Sequence, residues 1–164
     1  MDFLELAKQI EKQGMEQYAL MARTLEVKGL NGIFVYMAEQ EKHHYELFES
    51  WQKKEPARPR LPEETVLVKA KEAFEKLAKH FIGADFVAPV NYEQAYKQAL
   101  QFENNSIELY SDALSKLDDG QQSVLASIIK EEKAHARFIT DLIEFLHHPG
   151  EWLENAEWHH SEEY

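Results

Sequence analysis

Two pairs of residues in this chain combine a carboxylate with an imidazole three positions later: Glu41 with His44, and Glu132 with His135. On a helix, positions i and i+3 share one face, so each pair can direct both side chains at the same point. The neighbours at helical spacing are apolar or aromatic: Phe34, Met37, Ala38, Tyr45 and Phe48 around the first pair, and Leu125, Ile128, Ile129, Ala136 and Ile139 around the second. Both pairs are therefore predicted to face a core, where carboxylate and imidazole together indicate a transition-metal site.

Two further glutamates, Glu11 and Glu103, also lie on apolar helical stripes. Their neighbours are Leu4, Ala7, Met15, Tyr18 and Ala22, and Tyr96, Ala99, Leu100, Ile107 and Tyr110, respectively. Burial of an ionised carboxylate without a partner is costly, and no Lys or Arg falls on any of the four stripes. Two divalent cations would neutralise these four carboxylates and engage the two imidazoles.

Simpler interpretations compete for individual residues. A single glutamate on an apolar helical stripe is more often a surface residue than a buried ligand. Four such glutamates at repeated spacing favour a metal site. His43 is not counted as a ligand, because Gln40 occupies the position three residues before it. Tyr18 and Tyr110 each follow a candidate glutamate by seven residues. They are either ordinary core tyrosines, hydrogen-bond partners of the ligand carboxylates or a redox relay.

The hydrophobic pattern predicts an all-α protein. The first helix begins after Asp2 as N-cap and ends near Leu25, and a turn at residues 29–32 leads into a second helix from about Ile33 to Lys53. The prolines that follow mark a linker, namely Pro56, Pro59 and Pro62. A shorter amphipathic segment then lies outside the bundle, with its apolar side formed by Leu67, Ala70, Phe74, Leu77, Ala78 and Phe81.

The second half is predicted to contain a third helix over residues 92–117, a turn at 118–120 and a fourth helix over 121–148, which Pro149 and Gly150 end. Superimposing Glu11 on Glu103 and Glu41 on Glu132 shifts the chain by 92 and 91 residues. The repeat predicts two helical hairpins around a pseudo-two-fold axis, in a four-helix bundle with one long crossover containing a short helix.

The predicted organisation is one bundle domain over residues 1–148, with hairpins 3–53 and 92–146 joined by a crossover 54–91, and a tail over 149–164. Within the tail, His147, His148, His159 and His160 are either metal ligands or exposed polar residues. Trp152, Leu153 and Trp158 suggest a segment that docks on the bundle or on a partner.

Composition limits the classes of function. The absence of cysteine excludes disulfides, zinc-thiolate sites and iron–sulfur clusters, so electrons must come from outside the chain. The net charge of −12 argues against nucleic acid as a partner. No apolar run reaches the ~20 residues of a membrane span, and the N-terminus does not resemble a signal peptide, so we expect no membrane association and a cytoplasmic location.

Four stretches carry a resemblance to a known family: "AKQIEKQGMEQY" with Glu11, "AEQEKHHYELF" with Glu41 and His44, "ALQFENNSIELY" with Glu103, and "KEEKAHARFI" with Glu132 and His135. Over both hairpins the chain resembles the ferritin-like di-iron carboxylate proteins of the rubrerythrin superfamily. The resemblance implies a ferritin-like bundle in which these six residues hold two iron ions, with two carboxylates bridging and manganese as another compatible metal.

The chain departs from typical rubrerythrins at two points. They carry a further glutamate three residues after the third-helix ligand, and here that position is Ser106. They also carry a cysteine-ligated rubredoxin-like domain, which this chain lacks. It resembles the shorter, erythrin-like members, and we expect peroxide turnover to be slower than in proteins that have the seventh ligand.

The resemblance implies a non-haem di-iron oxidoreductase that reacts with dioxygen or hydrogen peroxide, uses an external electron donor and serves oxidative-stress defence or iron handling. The alternative is a ferritin-like iron-binding or storage protein with a ferroxidase centre, and the third interpretation is a metal-free structural bundle. A small oligomer is expected, a homodimer in which the long crossover could let hairpins exchange between subunits. The electron donor, the choice between oxygen and peroxide, and any organic substrate are not readable from the sequence.

Overall fold

The computed structural model describes residues 2–25, 29–56, 59, 62, 64–81 and 92–154. Its helices are α1 Phe3–Thr24, α2 Asn31–Lys53, α3 Val66–Phe81, α4 Tyr92–Leu114, α5 Asp119–His147 and α6 Pro149–Glu154. No strand occurs in these ranges, so the all-α prediction is confirmed. None of the described helices combines the length and apolar composition that crossing a bilayer requires.

Local chemistry sets the ends of the first hairpin. α1 begins after Asp2, whose backbone has the extended conformation of an N-cap residue. α2 begins at Asn31, inside the turn predicted for residues 29–32, and the Asn31 carboxamide oxygen accepts the otherwise unpaired Gly32 N–H of the first helical turn at 3.0 Å. Gly29 lies in the turn just before α2 and has a φ of +96°, a conformation that suits glycine.

The second hairpin also has a shifted turn. α4 ends at Leu114 rather than at residue 117, and the Lys116 N–H then bonds the Ala113 carbonyl at 2.9 Å in a tighter turn. α5 begins at Asp119 rather than at Gln121, because the Asp118 carboxylate accepts the Gln121 N–H at 2.8 Å as an N-cap. Hydrophobic periodicity alone does not locate such caps.

The four long helices form the bundle that the repeat predicts. α1 packs along α2, α4 packs along α5, and α1 also contacts α4. The described apolar core divides into two clusters, one around Tyr18, Phe34 and Phe138 and the other around Tyr110 and Phe48. The candidate ligands lie between the two clusters along the helices, so apolar side chains close both ends of the site.

The crossover helix α3 lies outside the bundle against α2 and α5, as the amphipathic pattern predicts. Its Phe74 packs on Phe145 of α5 and on Trp152 of α6, with ring centroids 5.4 and 5.6 Å apart. α5 ends before Pro149, but a separate short helix starts there, since proline at a first helical position loses no hydrogen bond. Trp152 therefore docks on the bundle; Trp158, His159 and His160 lie outside the described residues.

Candidate metal centre

Four helices of one chain bring all six predicted ligands together. Glu11 lies on α1 and Glu103 on α4, while α2 and α5 each supply a Glu-x-x-His pair. Every one of the six is buried, and the most exposed, His44, retains 4% of its accessible surface. Such burial of carboxylates requires compensating charge nearby.

The side chains form two overlapping groups. The first contains Glu11, Glu41, His44 and Glu132, and the second contains Glu41, Glu103, Glu132 and His135. Within each group, one ligand atom from every residue lies within 4.8 Å of the others. Glu41 and Glu132 belong to both groups, so their carboxylates lie within reach of both sets of ligand atoms.

The candidate ligands are incompletely hydrogen bonded. Each candidate ligand has one buried polar atom without a hydrogen bond: Glu11 Oε2, Glu41 Oε1, His44 Nδ1, Glu103 Oε2, Glu132 Oε1 and His135 Nδ1. His44 Nδ1 lies 2.9 Å from Glu132 Oε1, and His135 Nδ1 lies 2.9 Å from Glu41 Oε1, yet neither contact has hydrogen-bond alignment. Buried polar atoms in proteins usually have hydrogen-bond partners. Four carboxylate oxygens and two imidazole nitrogens without such partners, on residues that cluster together, are what a site for divalent cations would need.

Electrostatics explain why protons and cations would compete here. Burial, followed by repulsion from neighbouring carboxylates, raises the pKa of Glu11 and Glu103 well above the ordinary value. Burial by itself lowers the pKa of His44 and His135, but the surrounding carboxylates outweigh it and raise both pKa values well above the usual range. Without metal, Glu11, Glu103 and the two histidines therefore bind protons more readily than usual, close to the positions that cations would take.

Tyrosine hydroxyls hold the two unshared carboxylates across the bundle. Tyr18 donates a hydrogen bond to Glu103 Oε1, and Tyr110 donates one to Glu11 Oε1. Both tyrosines are fully buried, and the Tyr18 ring stacks on Phe34 at 5.9 Å. Each tyrosine thus contacts the glutamate of the opposite hairpin rather than the one seven residues before it. Their hydroxyls have the contacts of hydrogen-bond partners, and a redox relay stays a prediction.

Sequence reasoning missed the partners of the histidines. His44 Nε2 lies 2.8 Å from Glu131 Oε2, and His135 Nε2 lies 2.8 Å from Gln40 Oε1. Gln40 also donates from Nε2 to Glu131 Oε2 at 3.3 Å. Gln40 and Glu131 each directly precede the glutamate of a Glu-x-x-His pair, and that equivalent placement in the repeat is the signal that could have identified them.

The positions three residues after Glu11 and Glu103 are both small. Ser106 is buried, but its hydroxyl donates to the Phe102 carbonyl of its own helix at 3.1 Å. At Gly14, a Cβ atom would lie 3.2 Å from Glu41 Cγ and 3.3 Å from Glu41 Oε2. Glycine therefore lets α1 approach a shared carboxylate, which sequence reasoning did not predict.

Other histidines lie apart from the centre. His43 is half-buried and belongs to neither ligand group, in line with its exclusion from the sequence. His147 Nε2 lies 3.7 Å from Glu93 Oε1 near the end of α5, and the described residues contain no third group of clustered metal-binding side chains.

A cavity of about 220 Å³ reaches the outer side of the centre between α2, the start of α3 and α5. Its lining includes Gln40, Glu131, Ala134 and His135. Glu131 keeps 13% of its side-chain surface exposed, so the hydrogen-bond partner of His44 is accessible from this cavity.

Comparison with known proteins agrees with this geometry. The rubrerythrin family model matches residues 2–143. No curated protein sequence and no solved structure matches the chain. The family match covers all four bundle helices apart from the end of α5 and includes every residue of the buried Glu/His centre, so the chain belongs to the rubrerythrin family.

Proposed function

We propose that this protein is a non-haem di-iron oxidoreductase that reacts with dioxygen or hydrogen peroxide. The observation that carries the proposal is the pair of matched ligand groups, each with one unshared glutamate, one histidine and the two shared carboxylates Glu41 and Glu132. Six buried and unpartnered donor atoms meet the requirement of two divalent cations without any cysteine. Family membership supports the same metal.

When bound, an iron pair would supply two electrons to the oxidant, and reduction of hydrogen peroxide to two waters consumes those electrons and two protons. The chain's own contribution is to hold the ligands. Tyr18 and Tyr110 orient the unshared carboxylates, and the apolar clusters around Phe34 and Phe48 exclude water from both ends. Since the chain has no cysteine to hold an iron–sulfur centre, an external donor would return the electrons.

The cavity beside Gln40 and Glu131 supports a route for a small oxidant. It is large enough for peroxide, at about 220 Å³, and its lining reaches the His135 side chain. Polar groups from Thr65, Ser127 and Glu131 line it, and these can exchange hydrogen bonds with peroxide as it passes.

The test is anaerobic loading of the metal-free protein with ferrous iron, metal analysis, and stopped-flow mixing with oxygen or peroxide. We expect two iron ions per chain and a near-ultraviolet absorbance rise as the iron is oxidised. A site that binds iron but stays ferrous with both oxidants would refute the oxidoreductase. Fewer than about one ion per chain would refute the metal centre itself.

The second candidate is iron handling by a ferritin-like ferroxidase, which the net charge of −12 favours because an acidic surface attracts iron cations. Light scattering separates the two: a shell of many subunits supports storage, and a small oligomer supports the oxidoreductase. The homodimer, hairpin exchange, a cytoplasmic location and the use of manganese stay predictions; the described fold needs only one chain to assemble the centre.

A further inference from the structure

The two ligand groups are matched in the number and type of their residues, but their histidines have different hydrogen-bond partners. Each has one unshared glutamate, which a tyrosine of the opposite hairpin contacts, and each uses the same two shared carboxylates. The difference lies outside these groups. His44 bonds to the carboxylate of Glu131, whereas His135 bonds to the carboxamide oxygen of Gln40.

Both partners accept a hydrogen bond from Nε2 of a histidine and so favour the same tautomer, but the two hydrogen bonds differ in strength. Because Gln40 donates its NH₂ group to Glu131, its oxygen faces His135 and must accept the Nε2–H. The Glu131 carboxylate likewise accepts from His44, so a neutral ring that binds a cation would offer it the Nδ1 lone pair, beside the shared carboxylates. A carboxylate accepts a stronger hydrogen bond than an amide oxygen and increases the electron density that the imidazole offers to a cation.

On the basis of the proposed metal function, we propose that Glu131 makes the metal position beside His44 the tighter of the two. Gln40 leaves the metal position beside His135 the weaker. The inner ligands are equal in number and type, so they do not create a preference. Outer partners of ligating histidines typically change metal affinity by about 10–100-fold. Glu131 and Gln40 are thus positioning residues that set the order of filling.

The experiment titrates metal-free protein with zinc and follows the histidine nitrogen resonances by NMR, assigned with His44→Gln and His135→Gln. At one zinc per chain we expect the His44 Nδ1 resonance to shift and that of His135 to remain. The matched variant exchanges the two partners, Gln40→Glu with Glu131→Gln, so composition and net charge are unchanged. In that protein we expect His135 to respond first.

Reversal of the order is a result that a purely structural role of the pair would not produce. Glu131→Gln alone is a second test, because both histidines then have an amide partner. We expect the order of filling to disappear while the helical circular dichroism is retained. Simultaneous response of both histidines in the unaltered protein, or an unchanged order in the exchanged variant, would overturn this inference and leave the metal function standing. No response of either histidine to zinc would overturn both.

Discussion

The two hairpins are alike where they supply ligands and differ in what surrounds the ligands. Tyr18 and Tyr110 make mirrored contacts to the glutamates of the opposite hairpin. By contrast, Gly14 and Ser106 occupy equivalent positions in the repeat, yet Gly14 faces a shared carboxylate and Ser106 bonds its own helix. A set of candidate ligands can therefore follow the repeat while the contacts that support it do not.

The apolar surroundings are also unequal. The cluster around Tyr18 extends to the crossover helix through Phe74 and to Phe145, whereas the cluster around Tyr110 is completed by Phe3 and Trp51. The cavity that reaches His135 is lined by the start of α3 together with residues of α2 and α5.

The largest expected effect separates shared from unshared carboxylates. Glu41→Ala or Glu132→Ala should abolish binding of both ions, because each carboxylate serves both ligand groups. Glu11→Ala or Glu103→Ala should remove one ion each. Metal analysis after anaerobic ferrous loading measures the result, and His43→Ala should keep both ions. Equal losses in all four glutamate variants would contradict the shared roles.

The second prediction concerns pH and the chain after chelation. The folded pKa values of Glu11, Glu103, His44 and His135 are raised. Their stabilisation is therefore complete below the unfolded pKa and is lost as pH rises through the folded pKa. The free energy of unfolding should fall as pH rises above 4.5, the ordinary pKa of a glutamate. It should fall further as pH rises above 6.5, the ordinary pKa of a histidine.

Glu132 has the opposite sign, since the adjacent histidines lower its pKa and its contribution is lost as pH falls below 4.5. Urea unfolding of the chelated protein at pH values of about 6 and about 8 tests the prediction, because Glu132 contributes no slope in that window. Ferrous iron should reverse the trend by replacing protons. Greater stability of the chelated chain at the higher pH would contradict it.

Tyr18→Phe and Tyr110→Phe should have nearly equal effects, because the two hydroxyls make mirrored hydrogen bonds to buried carboxylates. Loss of one buried partner is expected to destabilise the metal-loaded protein by about 1–3 kcal/mol. Denaturant unfolding of both variants provides the comparison. A large drop in oxidation rate with unchanged stability, in one variant alone, would instead support a redox relay through that tyrosine.

The smallest expected effect compares Gly14→Ala with Ser106→Ala. A methyl group at Gly14 would lie 3.2 Å from Glu41 Cγ and 3.2 Å from Phe102 Cε1, so the shared carboxylate must shift by a few tenths of an ångström. Overpacking costs about 1–3 kcal/mol, and the gain in helix propensity of about 1 kcal/mol offsets part of it. Metal affinity should fall in Gly14→Ala, and titration of Ser106→Ala should show no change.

Much of the centre could be predicted from the sequence because its pattern is local. A Glu-x-x-His pair on an apolar stripe needs only the geometry of one helical turn, and the repeat brings the two pairs together with Glu11 and Glu103. The helix ends were less accurate, since the start of α5 depends on a side-chain bond from Asp118 that competes with hydrophobic periodicity. The metal itself and its redox activity stay predictions.

The six candidate ligands, the all-α class and the pairing of hairpins could be read from the sequence alone, because helical periodicity connects residues three or four positions apart. Contacts across separations of 85, 95 and 87 residues, by contrast, appear only in the folded chain: Tyr18 with Glu103, Gln40 with His135, and Glu131 with His44. These contacts depend on how neighbouring helices approach and rotate. Packing of whole helices sets that geometry, and no short stretch of sequence encodes it.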